Sequence, residues 1–186
     1  MPAILLTPPA AEPLSLAAAK QFLRVGHDAD DELIAALIAS ARAEIEIATR
    51  RVLITQTWRL VLHRWPAPRR IVSPVNPLRT VAAARVFDAD GAPEAVATTD
   101  FLLDTASVPG VIDLSQASLP EPGRQLAGIE IDVTAGYGAA ADVPAPLVQA
   151  MRLLVARAYE HRDRAEADGL SDEVAKLLAP FRLVSL

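Results

Sequence analysis

The sequence predicts an α+β fold: a helical bundle of two N-terminal and one or two C-terminal helices, with a small antiparallel β-domain inserted. Three observations predict it. Residues 15–50 place apolar side chains at helical spacing, residues 53–137 change to short alternating segments cut by Pro, Gly and Asp, and residues 145–163 return to helical spacing. A length of 186 residues, 52% hydrophobic and 4% aromatic, suits one domain with an extra arm and an aliphatic core.

In chain order, residues 1–13 are proline-rich and read as a flexible arm. Ser15 caps a first helix, "LAAAKQFLRV", over 15–25, and Gly26 ends it. The second helix spans 29–50. Asp28 or Asp30 is its N-cap, Asp31 and Glu32 suit its positive start, and Arg50 and Arg51 its negative end. Its stripe is Leu33, Leu37, Ile38, Ala41, Ile45 and Ala48.

The period then changes. In "LITQTWRLVLHRW", Ile54, Trp58, Leu60 and Leu62 share one side and Thr55, Thr57, Arg59 and His63 the other, the mark of a half-buried strand. "RTVAAARVFDADGAPEAV" reads as a hairpin turning at Asp90-Gly91. "DFLLDT", "GVIDLS" and "GIEIDVTAGYG" are further short strands. Pro144 and Pro146 open a helix over 145–163 with the stripe Leu147, Met151, Leu154, Val155, Ala158 and Tyr159. Ser171 caps a last helix over 172–179. The alternating tail 181–186, "FRLVSL", has no partner strand beside it in sequence. The domain reading is therefore an arm over 1–13, a domain over 14–180 and a tail over 181–186.

"TAGYG" at 134–138 is one residue from the loop that lines potassium-channel filters. A filter needs a membrane, and a spanning helix needs about 20 consecutive apolar residues; the long helical patterns here carry charges every few residues. No membrane partner is expected. "MPAILLTPPAAEPLS" lacks a basic start and is broken by prolines, so it does not read as a signal peptide. The absence of cysteine excludes disulfides, thiolate metal sites and cysteine nucleophiles. Net charge is −5 without a Lys/Arg run, which argues against a nucleic-acid grip. Only Lys20 and Lys176 among the 18 basic residues are lysine.

Candidate chemistry is thin. His27, His63 and His161 lie far apart, and none forms a close metal-ligand pair. His161 near Glu160 and Asp163 reads either as a general-base pair or as a solvated helix end, and a small oligomeric enzyme using them is the alternative function. Asp88, Asp90 and Gly91 begin like a calcium loop, but Ala92 and Thr99 stand where oxygen ligands belong. No G-x-S-x-G, P-loop or dinucleotide fingerprint is present. No catalytic residue, metal or cofactor is assigned. Trp58 reads as core, and Trp65 as either an interface anchor or a cap over the β-domain.

Taken in order, "LSLAAAKQFLRVGHDADDELIAALIASARAEIEIATRRVLITQTW", "FDADG", "AGYG" and "VPAPLVQAMRLLVARAYEHRD" resemble the phage head–tail connector, or adaptor, family across residues 14–165. The resemblance implies that "AGYG" ends the last strand and "ADVPAPL" starts the following helix, so the glycines and prolines punctuate sheet and helix. It implies a structural protein of a tailed phage, prophage or gene transfer agent, assembled in the bacterial cytoplasm and located at the head–tail interface of the particle, with another tail-completion or stopper protein as the alternative within the class. It implies a ring of roughly twelve subunits with a cyclic head-to-tail interface, a portal protein above, a stopper or tail terminator below, and double-stranded DNA passing through without sequence-specific binding. On this reading Arg42, Glu44, Glu46, Arg152 and Arg157 are subunit-interface candidates. Phe181, Arg182, Leu183, Val184, Ser185 and Leu186 are portal-binding candidates, as a strand added to an edge.

Overall fold

A computed structural model of the chain describes residues 1–161 and 170–183. The fold is α+β and divides into two compact units, Ala10–Ile54 with Tyr137–Leu186, and Met1–Pro9 with Thr55–Gly136.

The first unit is helical: α1 (Leu16–Leu23), α2 (Asp31–Thr49), α3 (Ala145–Glu160) and α4 (Asp172–Leu178), with single 3-10 turns at Ala140–Asp142 and Ala179–Phe181. Ser15 and Ser171 cap α1 and α4 as expected, each side chain accepting a backbone N–H, from Ala18 and Val174. Helix α1 stops before Gly26. Arg24 takes the left-handed conformation at φ 58°, and its N–H closes onto the carbonyls of Gln21 and Lys20. Asp30 is the N-cap residue of α2 without a side-chain cap bond; its carboxylate accepts the Tyr159 hydroxyl at 2.5 Å instead. Lys20 draws the α1–α2 connection together, at 2.6 Å from both Asp28 and Asp31.

The core of this unit gathers Leu14, Ile34, Ile38, Ala41, Ile45, Leu53, Leu147, Met151, Val155, Val174 and Leu178. Two stripe residues are corrected. Leu33 is exposed, and the buried row of α2 is Ile34, Ile38, Ala41, Ile45 and Thr49. Adjacent residues lie about 100° apart on a helix, so packing took Ile34 and left its apolar neighbour in water. On α3 the buried row includes Ala150, while Ala158 is exposed.

The second unit holds two antiparallel sheets. Five strands run in the order β1 (Ala3–Thr7), β2 (Gln56–Leu62), β8 (Ile129–Ala135), β4 (Leu78–Phe87) and β5 (Pro93–Val96). Three run β3 (Arg70–Val72), β7 (Val111–Asp113) and β6 (Leu102–Asp104). Residues 3–7 are not a free arm: they pair with β2, from Ala3 opposite Leu60 to Thr7 opposite Thr57. An uncharged aliphatic run completes its ladder bonds on a neighbouring strand, and Pro8 and Pro9 stop it.

Strand β8 is the spine, hydrogen-bonded to β2 on one side and β4 on the other. Its alternation is complete: Ile129, Ile131, Val133 and Ala135 are fully buried, while Glu130, Asp132 and Thr134 take the other face. The expected hairpin is β4–β5. Asp88 Oδ1 accepts the N–H groups of Asp90 and Ala92 at 2.9 and 2.8 Å, and Gly91 supplies φ 83°. A buried polar knot, Ser73 with Asn76, ties the β3–β4 loop to the start of β7: Asn76 Nδ2 donates to Ser73 O at 3.0 Å and its Oδ1 accepts from Gly110 at 2.8 Å.

After β8, Gly136 and Gly138 adopt φ 125° and 137°. At Gly138 a Cβ would fall on the Asp142 carboxylate, whose Oδ2 accepts the Ala139 N–H at 2.8 Å. Glycine is required there twice over, by conformation and by space. The Gly138→Ala substitution is expected to cost about 1–3 kcal/mol, read as a lower midpoint in urea unfolding with an unchanged m-value.

Candidate functional site

The C-terminal corner of α2 concentrates the polar machinery of the helical unit. Arg50 ends the helix in the left-handed conformation, φ 55°. Arg42 donates to Glu12 and Glu46 at 2.8 Å each. The other oxygen of Glu46 accepts the Leu53 N–H at 2.9 Å. Arg51 lies next to them, donating to the Phe181 carbonyl at 2.7 Å and the Tyr137 hydroxyl at 3.2 Å, with its guanidinium 5.9 Å from the centre of the Phe181 ring. Burial raises the Tyr137 hydroxyl pKa above the usual tyrosine value.

This corner receives the C-terminal tail. Residues 179–181 form a 3-10 turn, and Leu183 donates its N–H to Thr49 O at 3.3 Å. The alternating pattern of "FRLVSL" therefore does not begin as a strand at Phe181, because the carbonyls left open at the end of α2 and the Arg51 guanidinium bind this stretch first. Arg182 is exposed and Leu183 half-buried; residues 184–186 lie outside the described residues.

The interface candidates separate. Arg42 and Glu46 are spent on each other and on Glu12 within the chain. Glu44 is exposed on α2. Arg152 makes one long bond, 3.4 Å, to Gln149 on its own helix, and Arg157 is half-buried in the last turn of α3. His161 is exposed at the end of α3, its N–H bonded to Arg157 O, and its suggested partner Asp163 lies outside the described residues. His27 is exposed; His63 Nδ1 accepts the Ala127 N–H at 2.9 Å, a loop tie. Among the described residues no three His, Asp or Glu side chains are placed to hold a metal ion, and no helix is long and apolar enough to cross a membrane. Trp65 is a cap within its own unit: Nε1 donates to Pro120 O at 2.8 Å. Trp58 is half-buried, with Nε1 lacking a partner among the described residues.

The polar face of the five-stranded sheet carries a feature that sequence reading missed. Arg59 grips Asp132 with two bonds, 2.7 and 3.0 Å, and reaches Glu130 at 3.0 Å. Arg85 closes the square from β4, 3.0 Å from Asp132 and 3.4 Å from Glu130. Arg59 stands opposite Asp132, and Arg85 opposite Glu130, in the strand registers. The Arg59 hydrogen bond holds the nearly buried Asp132 carboxyl below the usual range, and the same contact raises Arg59. The signal was in "IEIDV", where two carboxylates alternate with core aliphatics and so require cations on the neighbouring strands.

Comparison with known proteins fits this architecture. The model of the family described as phage gp6-like head-tail connector protein matches residues 13–78. The chain is 31% identical to a chain in the neck of an empty gene transfer agent (GTA) particle computed with C6 symmetry, with TM-score 0.84, covering 100% of this chain and 97% of that one. It matches a chain of the virion of a native GTA particle with TM-score 0.81, and one of the neck of a native GTA particle computed with C12 symmetry with TM-score 0.69, at the same identity and coverage. Comparison with curated proteins gives no match. The chain belongs to the phage gp6-like head–tail connector family. The matched family and the structural relatives are structural proteins of phage and phage-like particles.

Depressed carboxyl pKa values contribute stability above the unfolded value, near 3.9, that is lost as pH falls through the folded value. For Asp113, hydrogen bonds from Ser115 and then Arg70 place that value at about 2. Stability should hold from neutral pH to about 4 and decline toward 2. Asp132→Asn should lose about 2 kcal/mol at pH 7 and decline less steeply below pH 4, measured by urea unfolding at each pH. Arg51→Ala should cost about 1–2 kcal/mol and open the bond after Phe181 to chymotrypsin in limited proteolysis.

Proposed function

We propose that this chain is the head–tail connector of a tailed phage or gene transfer agent particle, and that it works in the particle neck as a closed ring of about twelve copies. The observation that carries this reading is the 31% identity, over the full chain and 97% of its match, to a chain in a GTA neck. The relatives' necks were computed with C6 and C12 symmetry, which suits a dodecamer.

The mechanism is geometric and needs no catalysis or cofactor. One face of the ring captures the portal protein, the other presents a docking surface to a stopper or tail terminator, and double-stranded DNA slides through the centre. Phosphate affinity comes from Lys/Arg contacts, so a chain of net charge −5 suits a conduit that must not hold DNA. Residues 181–186 reach the portal. Phe181 is held by Arg51 at the start of this segment, which fixes where the segment begins. Around the ring, Glu44, Arg152 and Arg157 make ion pairs between neighbours, while Arg42 and Glu46, paired within the chain, fix the α2 surface that the neighbour meets. Ring assembly takes place in the bacterial cytoplasm before the particle is complete.

The test is mass by light scattering, alone and with the portal protein of the same particle. The chain should join the portal at near one-to-one subunit stoichiometry; a small closed oligomer indifferent to portal would overturn the reading. Deleting residues 181–186 should leave a folded chain that no longer co-purifies with portal, and undiminished binding would exclude the tail as the portal contact.

A further inference from the structure

The β-unit presents four strand edges: β1 and β5 in one sheet, β3 and β6 in the other. Open edges offer unpaired backbone groups, and soluble proteins guard them with charge or proline. Strand β5 opens on Pro93 and exposes Glu94. Strand β3 carries the exposed Arg70 and is bracketed by Pro68 and Pro74.

The other two edges are unguarded. Strand β1 contains neither charge nor proline, and Ile4, Leu5 and Leu6 are 51, 42 and 41% exposed, so neither of its faces is covered. Strand β6 exposes Leu102 at 50% and Leu103 at 36%. Its one charge, Asp104, is turned into the following bend, where Oδ1 accepts the N–H groups of Ala106 and Ser107 at 3.1 and 3.0 Å. Beside β6 lies a hollow of about 330 Å³ with Leu102, Leu103 and Val111 in its lining, bordered by the Arg70–Asp113 ion pair.

We propose that β1 of one copy seats against β6 of the next, its aliphatic side chains entering this hollow, and that this contact closes the connector ring. The occupant is a second copy because one chain carries both halves: an uncharged aliphatic edge strand and, on a different sheet, a second open edge whose exposed Leu102 and Leu103, with Val111, form the apolar half of a recess rimmed by Arg70, Asp104 and Asp113. Two unlike complementary patches on one chain make a head-to-tail contact, which generates a ring when the rotation closes. Apolar burial resists salt, so it holds where the helix ion pairs loosen. The proposal rests on the ring reading above and adds the surface that forms it.

The chain has no cysteine, so introduced ones report without background. Each of Ile4, Leu5 and Leu6 is changed to Cys together with Leu102→Cys or Leu103→Cys, so that strand register does not decide the result. At concentrations where the unaltered chain is oligomeric, alone or with portal, oxidation of at least one double variant should give a covalent ladder in denaturing gels. Single variants should give none, and mixed single variants only dimers. Leu5→Lys should weaken assembly at low as well as high salt, and adding Leu103→Glu should restore it at low salt. Dimers from Leu5→Cys alone would mean that β1 pairs with β1 and would overturn the proposal. An oligomer without any ladder would overturn it while leaving the ring intact. A chain monomeric both alone and with portal would overturn the ring reading as well.

Discussion

A carboxylate at the centre of a β-sheet stays charged only where cations meet it, and Asp132 is met by two. It sits on the middle strand of five with its side chain almost out of water. Arg59 reaches it from one neighbouring strand and Arg85 from the other, and Glu130 two residues away binds the same pair. The square links β2, β8 and β4 across the polar face while Ile129, Ile131 and Val133 fill the core on the opposite face. It also selects register. Sliding β2 by one residue would move Arg59 to the core side and leave Asp132 a guanidinium short.

The helical unit depends on a different kind of tie. Its core is aliphatic and would tolerate rearrangement; its ends would not. Arg24 and Arg50 close α1 and α2 in the left-handed conformation, where glycine is usual. The stretch beyond α2 is then occupied by Glu46 binding the Leu53 N–H and by Arg51 binding Phe181 O. This corner joins residues more than a hundred positions apart. It also holds Phe181 and Leu183, so the packing of α2 and the placement of the first residues of the tail are one structural event.

The two units differ in how they meet water. Paired charges satisfy the polar sheet face and the α2 surface from within the chain, whereas β1 and β6 leave aliphatic side chains open. The paired groups stabilise the fold, and the open edges are the surfaces on which the proposed ring contact rests.

Local pattern determined the class of the fold: helices, then a β-insertion, then helices, with serine caps and a β4–β5 turn at Asp90-Gly91, because each depends on residues within a few positions of one another. The glycines of "AGYG" read as punctuation through the family resemblance. Ordered short motifs made the family resemblance visible although each motif was weak. Tertiary structure alone decided the rest. It took Ile34 rather than Leu33 into the core, made a strand of residues 3–7, turned Phe181 back onto Arg51, and placed Arg59 and Arg85 around Asp132. Those outcomes join residues distant in sequence, where competition among partners for burial and hydrogen bonds, rather than local preference, sets the result.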